Sequence, residues 1–264
     1  MLKLRKKASL FLTFAMALIL TGCGTTPNYF MPAQATKNIN STDVIVSIPQ
    51  KELYAQVNSP NTVAAAGGGL LFALIDAAVV NARANTAESA ISPIKDALIE
   101  EDFNQLFASY LNEELANIGW LNLNKVKLSV LEGDAGRERA IKSAQSDAVM
   151  LIDVDYSLGA NFNDFEAKAQ AVLLPKNSQL KQFSEKPNGK YSAALWHPDN
   201  ALYRDTFLVR KNVSSLGDVE DNASSMVEDK PKLVERFRQL AQKLAKSIAF
   251  SIKRNGSQEA PTNH

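Results

Sequence analysis

The chain has a single cysteine and only two histidines in 264 residues. One cysteine excludes an intramolecular disulfide. Two histidines, one of them the last residue, are too few soft ligands for a zinc site, which needs three or four. A surplus of one charge sign is also missing, since 29 Lys and Arg stand against 28 Asp and Glu. Such a balance does not suit wholesale nucleic-acid binding. No internal repeat of fixed period is visible, which argues against solenoids and propellers. Gly67-Gly68-Gly69 is not followed by the Lys-Ser/Thr pair of a phosphate-cradling loop, and "GGGLLF" lacks the dinucleotide spacing. No Ser sits in a nucleophile elbow, so His197, just before Pro198, reads as a turn histidine. The acidic "DVEDN" is too loosely spaced for a calcium loop. No catalytic or metal constellation stands out, and no dissociable cofactor is implied.

The start of the chain carries the strongest signal. Lys3, Arg5, Lys6 and Lys7 form a positive region ahead of a 13-residue apolar run, Ala8 to Leu20. That run is short for a membrane-crossing helix and fits the hydrophobic part of a signal peptide. Leu20-Thr21-Gly22-Cys23 follows at once, and it resembles the lipobox of bacterial lipoproteins. The resemblance implies cleavage between Gly22 and Cys23, diacylglycerol on the Cys23 thiol and an acyl chain on its new amino group. One acyl chain binds a membrane reversibly, whereas several make a lasting anchor. Gly24 stands where an Asp would favour inner-membrane retention in enteric-type bacteria, so the resemblance points to the outer membrane. Loss of residues 1–22 removes four cations and moves the formal net charge from +1 to −3.

The expected organisation is a signal peptide at 1–22, a lipidated Cys23 with a flexible tether over 23–42, one domain over 43–254, and a disordered tail over 255–264. "DVIVSIP" from Asp43 alternates as a strand. Ser92-Pro93 reads as an N-cap and first residue of a helix. Asp102 suits the cap of another, with Phe103, Leu106, Phe107, Tyr110 and Leu111 on one face. "KVKLSVL" from Lys125 is a further strand, and residues 133–147 a short charged helix. The longest sheet signal follows. Met150, Ile152, Val154, Tyr156 and Leu158 alternate along one strand, and Phe165, Ala167, Ala169, Ala171 and Leu173 along its return. A turn centred on Asn161 and Phe162 sets Asp155 opposite Lys168. A second hairpin is expected from "KYSAALW" and "ALYRDTFLVRK", turning at Pro198. The segment "NVSSLGDVEDNASSMVEDK" reads as a polar loop. A last helix begins near Pro231 with Leu233, Phe237, Leu240, Leu244, Ile248 and Ile252 as its stripe. This order predicts an α+β fold, an antiparallel or mixed sheet with helices packed on its faces.

Two stretches bear on function. Asp153 and Asp155 share one strand face, a spacing open to paired-carboxylate chemistry. The plainer reading is a solvated face with Asp155 paired to Lys168. Residues 61–89 hold the three glycines, then an apolar run broken by Asp76. An Asp at the centre of a spanning helix costs about 2.5–3.5 kcal/mol, so a core-packed helix is expected, with Leu71, Leu74, Ile75, Ala78, Val79 and Ala82 on its inner face. Leu70 and Phe72 fall off that face and are candidates for partner or membrane contact. The basic face of the last helix reads as an ordinary solvated surface, with anionic headgroups as the alternative.

"SDAVMLIDVDYSL" followed by paired strands and "YSAALWHPDNALYRDTF" resembles the envelope domains of the curli-secretion lipoprotein and of the amino-terminal domain of the Tol-system propeller protein. It implies a periplasmic binding or assembly module without catalytic residues. The leading expectation is therefore a non-catalytic lipoprotein on the periplasmic side of the outer membrane, acting on other envelope proteins. A cell-wall hydrolase using Asp153 and Asp155 is one alternative, and a subunit of a homo-oligomeric ring or pore is another.

Overall fold

The computed structural model describes residues 28–56, 87–185, 195–213 and 218–257. Gly22, Cys23, Leu70, Phe72 and most of the triple-glycine segment lie outside these residues. Alternating apolar side chains build a six-stranded mixed sheet: β1 Thr42–Ser47, β2 Tyr54–Ala55, β3 Leu123–Leu128, β4 Ala148–Leu158, β5 Asp164–Pro175 and β6 Tyr203–Asn212. Its order is β3-β1-β4-β5-β6, with β2 continuing beyond β1 along the same side of β4. β1 runs parallel to β3 and β4, while β5 is antiparallel to both neighbours. With helices on this sheet, the fold is α+β in a single domain, as the pattern predicts.

The helices are α1 Ala33–Thr36, α2 over 87–97, α3 Phe103–Ala116, α4 Gly133–Ser143, α5 Ser178–Lys181, α6 Val219–Glu228 and α7 Lys230–Ser257. Helices α3 and α7 pack on each other and against the sheet. Their shared core is aromatic. The Phe103 ring lies 4.1 Å from Tyr156 and 5.4 Å from Phe237, and Phe237 lies 5.3 Å from Phe165. Such pairs add about 0.5–1.5 kcal/mol each beyond the area they bury. All ten alternating residues from Met150 to Leu173 are buried on this side, as is the predicted stripe of α7. Helix α4 covers part of the opposite sheet face, where Ile141 and Ala144 meet Ile45, Val149, Leu151 and Leu174. Both faces of β1 are therefore covered, which is the usual setting of a strand with parallel neighbours.

The hairpin turn falls where the pattern places it, with Leu158 opposite Phe165 and Asp155 opposite Lys168. Phe162 takes a left-handed φ of 54° there and is fully buried. Asp102 caps α3, accepting from the backbone N–H of Asn104 and Gln105 at 2.9 and 3.1 Å.

Several expectations need correction. Residues 28–42 are not a free tether: Met31, Ala35 and Ile39 are buried in the main core. Ser92 is not an N-cap, because α2 is already helical from 87. Pro93 fits inside it because it and Ser89 lie on the exposed side, where solvent can serve the carbonyl that Pro leaves without a donor. The acidic loop contains α6, capped by the Asp218 carboxylate on the Asp221 N–H at 2.9 Å, with Ala223 and Met226 buried. β6 pairs with β5, and of the hairpin strand expected over 190–196, residues 190–194 lie outside the described residues while Leu195 and Trp196 stand in a turn. Residues 255–257 belong to α7, and Asn255 is buried.

Candidate functional site

The solvent-facing half of the sheet gathers polar side chains from four strands. Alternation on β4 and β5 turns Asp153, Asp155 and Ser157 to the side where Glu166, Lys168 and Gln170 stand, and register sets Arg210 of β6 opposite Glu166. Glu166 is the hub. Its Oε1 takes hydrogen bonds from Gln56 Nε2 at 2.9 Å and pairs with Lys168 Nζ at 2.8 Å. Its Oε2 accepts from Arg210 Nε at 2.7 Å. Burial alone would raise this carboxyl, but the bonds from Lys168, Gln56 and Arg210 outweigh burial and lower it to about 2. At neutral pH it is a fixed anion and not a proton donor. Nearby, burial raises Asp164, a shift that the Arg210 charge opposes.

The two candidate carboxylates face the same way but have different partners. Asp153 Oδ2 accepts from Arg137 Nη2 at 3.0 Å, and the Arg137 guanidinium sits 5.6 Å over the Trp196 ring. Asp155 Oδ2 accepts from the Tyr54 hydroxyl at 2.6 Å. Burial, together with that bond and the Asp155 charge, raises the Tyr54 phenol to about 12. Asp155 is thus opposite Lys168 in register, but the lysine pairs with Glu166 two residues away on its own strand face. Alternation identified the face. It did not identify Tyr54 and Gln56, which arrive on and just after a two-residue strand about 100 positions earlier, nor Arg210 from the third strand.

His197 opens a turn in which Asn200 N–H donates to its carbonyl at 2.9 Å. Its Nδ1 accepts from the Asp199 N–H at 3.2 Å, which is a turn role. Among the described residues no three His, Cys, Asp or Glu side chains gather as a metal set. No helix among them is long and apolar enough to cross a membrane.

A cleft of about 450 Å³ opens between β1, β3 and α4, with Lys125, Lys127 and Arg139 around an apolar floor that includes Ile45 and Leu131. Asp43 is buried at its side, taking Asn124 Nδ2 at 2.8 Å on one oxygen and facing Lys125 Nζ at 3.6 Å with the other. Strand alternation showed Asp43 only as a polar position at the start of β1.

A third region surrounds the first described residues. Tyr29 pairs with Arg204 through two backbone hydrogen bonds of 2.9 Å, which covers part of the outer edge of β6. The Tyr29 hydroxyl donates to the Phe183 carbonyl at 3.1 Å, and burial followed by the Glu185 charge raises its pKa. Arg204 is buried and ion-paired with Glu185 at 2.9 Å. Tyr203 hydrogen-bonds Ser251 of α7 at 3.0 Å, so this edge, the incoming chain and the last helix are joined.

No family model and no curated protein matches the chain. Among solved structures it is similar to protein XCC0632 from Xanthomonas campestris, of family DUF330, at 12% identity and a TM-score of 0.35, over 89% of this chain and 93% of that one. It is also similar to PelC from Paraburkholderia phytofirmans, solved as a dodecamer. A single-residue variant gives 11% identity and a TM-score of 0.26 over 83% of this chain and 99% of that one. A second PelC dodecamer gives 10% and 0.25 over 81% and 95%.

Proposed function

We propose that the chain is an outer-membrane lipoprotein, anchored through acyl chains on Cys23, that serves non-catalytically as a binding or assembly component of the cell envelope. The observation that carries this reading is Leu20-Thr21-Gly22-Cys23 placed directly after a charged start and a short apolar run. The geometry supports it in one respect. The fold takes hold of the chain at Tyr29, six residues after Cys23, so a lipid on Cys23 is coupled closely to the domain. Periplasmic display and envelope-protein partners belong to the same proposal.

The arrangement of Asp153 and Asp155 favours this reading over a carboxylate hydrolase. Each is bound to a partner supplied by the fold, Arg137 and Tyr54, and the carboxyl with the large shift beside them is held ionised. A general acid at neutral pH needs the opposite shift.

The test is fractionation. Wild-type protein is expected to sediment with outer membranes, and the Cys23→Ala protein to leave that fraction while keeping its circular dichroism. Retention of the variant in outer membranes would contradict the anchor.

A further inference from the structure

We propose that the exposed stripe on the C-terminal half of α7, together with Phe30 beside it, is a membrane-contact surface that rests on the anionic headgroups of the leaflet holding Cys23. This rests on the lipoprotein reading above and adds an orientation and a ligand chemistry to it. Asn28 follows Cys23 by five residues, so it lies within about 18 Å of the Cys23 Cα even at full extension. A domain held that closely presents the surface around residues 28–30 to the bilayer.

That surface has the composition of an interfacial patch. The Phe30 ring is 38% exposed and lies 6.0 Å from the Arg254 guanidinium. Arg254 shares an outward stripe of α7 with Phe250, one turn earlier, and with Lys246, one turn before that. Phe250 is 67% exposed, and Lys246, Lys253 and Arg254 are exposed around it. From Arg236 to the end of α7 at Ser257 the sequence contains no Asp or Glu. A large ring between cations suits the boundary where acyl chains meet phosphates, with the ring in the apolar layer and the cations on the headgroups. Cations near an anionic leaflet act within about one Debye length, roughly 8–10 Å at physiological salt. The short link to Cys23 lets the patch reach that range. The charge pattern favours a phospholipid surface as the occupant, since the exposed cations Lys246, Lys253 and Arg254 stand around one exposed ring, a composition that suits phosphates.

The experiment uses the full lipidated chain in vesicles of phosphatidylethanolamine with a minor fraction of phosphatidylglycerol. Its only native cysteine is acylated under this reading, so a polarity-sensitive thiol probe reports on an introduced site alone. Phe250→Cys is expected to give a blue-shifted probe quenched by nitroxide lipids. Leu208→Cys, exposed on the open sheet face, is expected to give an unquenched one. Adding K246E and K253E to Phe250→Cys should lose the quenching while the protein still floats with the vesicles. A probe at 250 that is no more quenched than one at 208, on protein that floats, overturns the contact surface and leaves the anchor standing. That result would favour a protein partner for the stripe. Protein that fails to float overturns the anchor, and the proposal with it.

Discussion

Glu166 remains ionised at a buried position because three donors from three strand neighbourhoods meet on it. Its folded pKa of about 2 lies below the ordinary 4.5. Its contribution to stability is therefore fully present above about pH 4.5 and is lost as pH falls through about 2. Glu166→Gln should cost on the order of 2 kcal/mol at pH 7 and much less near pH 2, read from denaturant unfolding at the two pH values. An equal loss at both would show a packing effect instead of an electrostatic one. The sequence made half of this arrangement legible. Period-two alternation put Asp153, Asp155 and Lys168 on one face, and the hairpin centre gave the right register. The ion pairs were not legible, because a charge chooses among all neighbours in space. Lys168 has Glu166 on its own strand as a competitor to Asp155, and Glu166 is in turn held by Gln56, 110 residues away.

At the scale of elements, the readable parts were those whose apolar period is long and unbroken. Both strands of the hairpin, α3 with its Asp102 cap, and α7 with its stripe lie where the pattern places them. The misread parts are short or rich in polar residues. Met31, Ala35 and Ile39 recur every four residues, but two prolines and many amides around them give the composition of a linker. Within α6 the spacing of Val219, Ala223 and Met226 carries the helical signal inside an acidic sequence. The N-terminal segment offers a direct test. Ile39 is 1% exposed, so Ile39→Ala should cost about 2–5 kcal/mol of unfolding free energy, as a truncated core residue does. The same change in a free tether would leave the unfolding midpoint where it was.

For the whole molecule, the fold begins within a few residues of the sequence that resembles a lipobox. The sheet buries one face under α3 and α7 and part of the other under α4, and Tyr29 fastens the incoming chain to the edge strand. A lipobox-like pattern is local in sequence, whereas the proposed contact surface joins residues as distant as Phe30 and Arg254. Intact-mass and amino-terminal peptide spectrometry of the protein purified from its native membranes reads the chemical state of Cys23, on which the anchor depends. The expected result is a mature amino terminus at Cys23, with a thioether-linked diacylglycerol and an amide-linked acyl chain. A chain that begins at Met1, or one cleaved elsewhere with an unmodified Cys23 thiol, would contradict it.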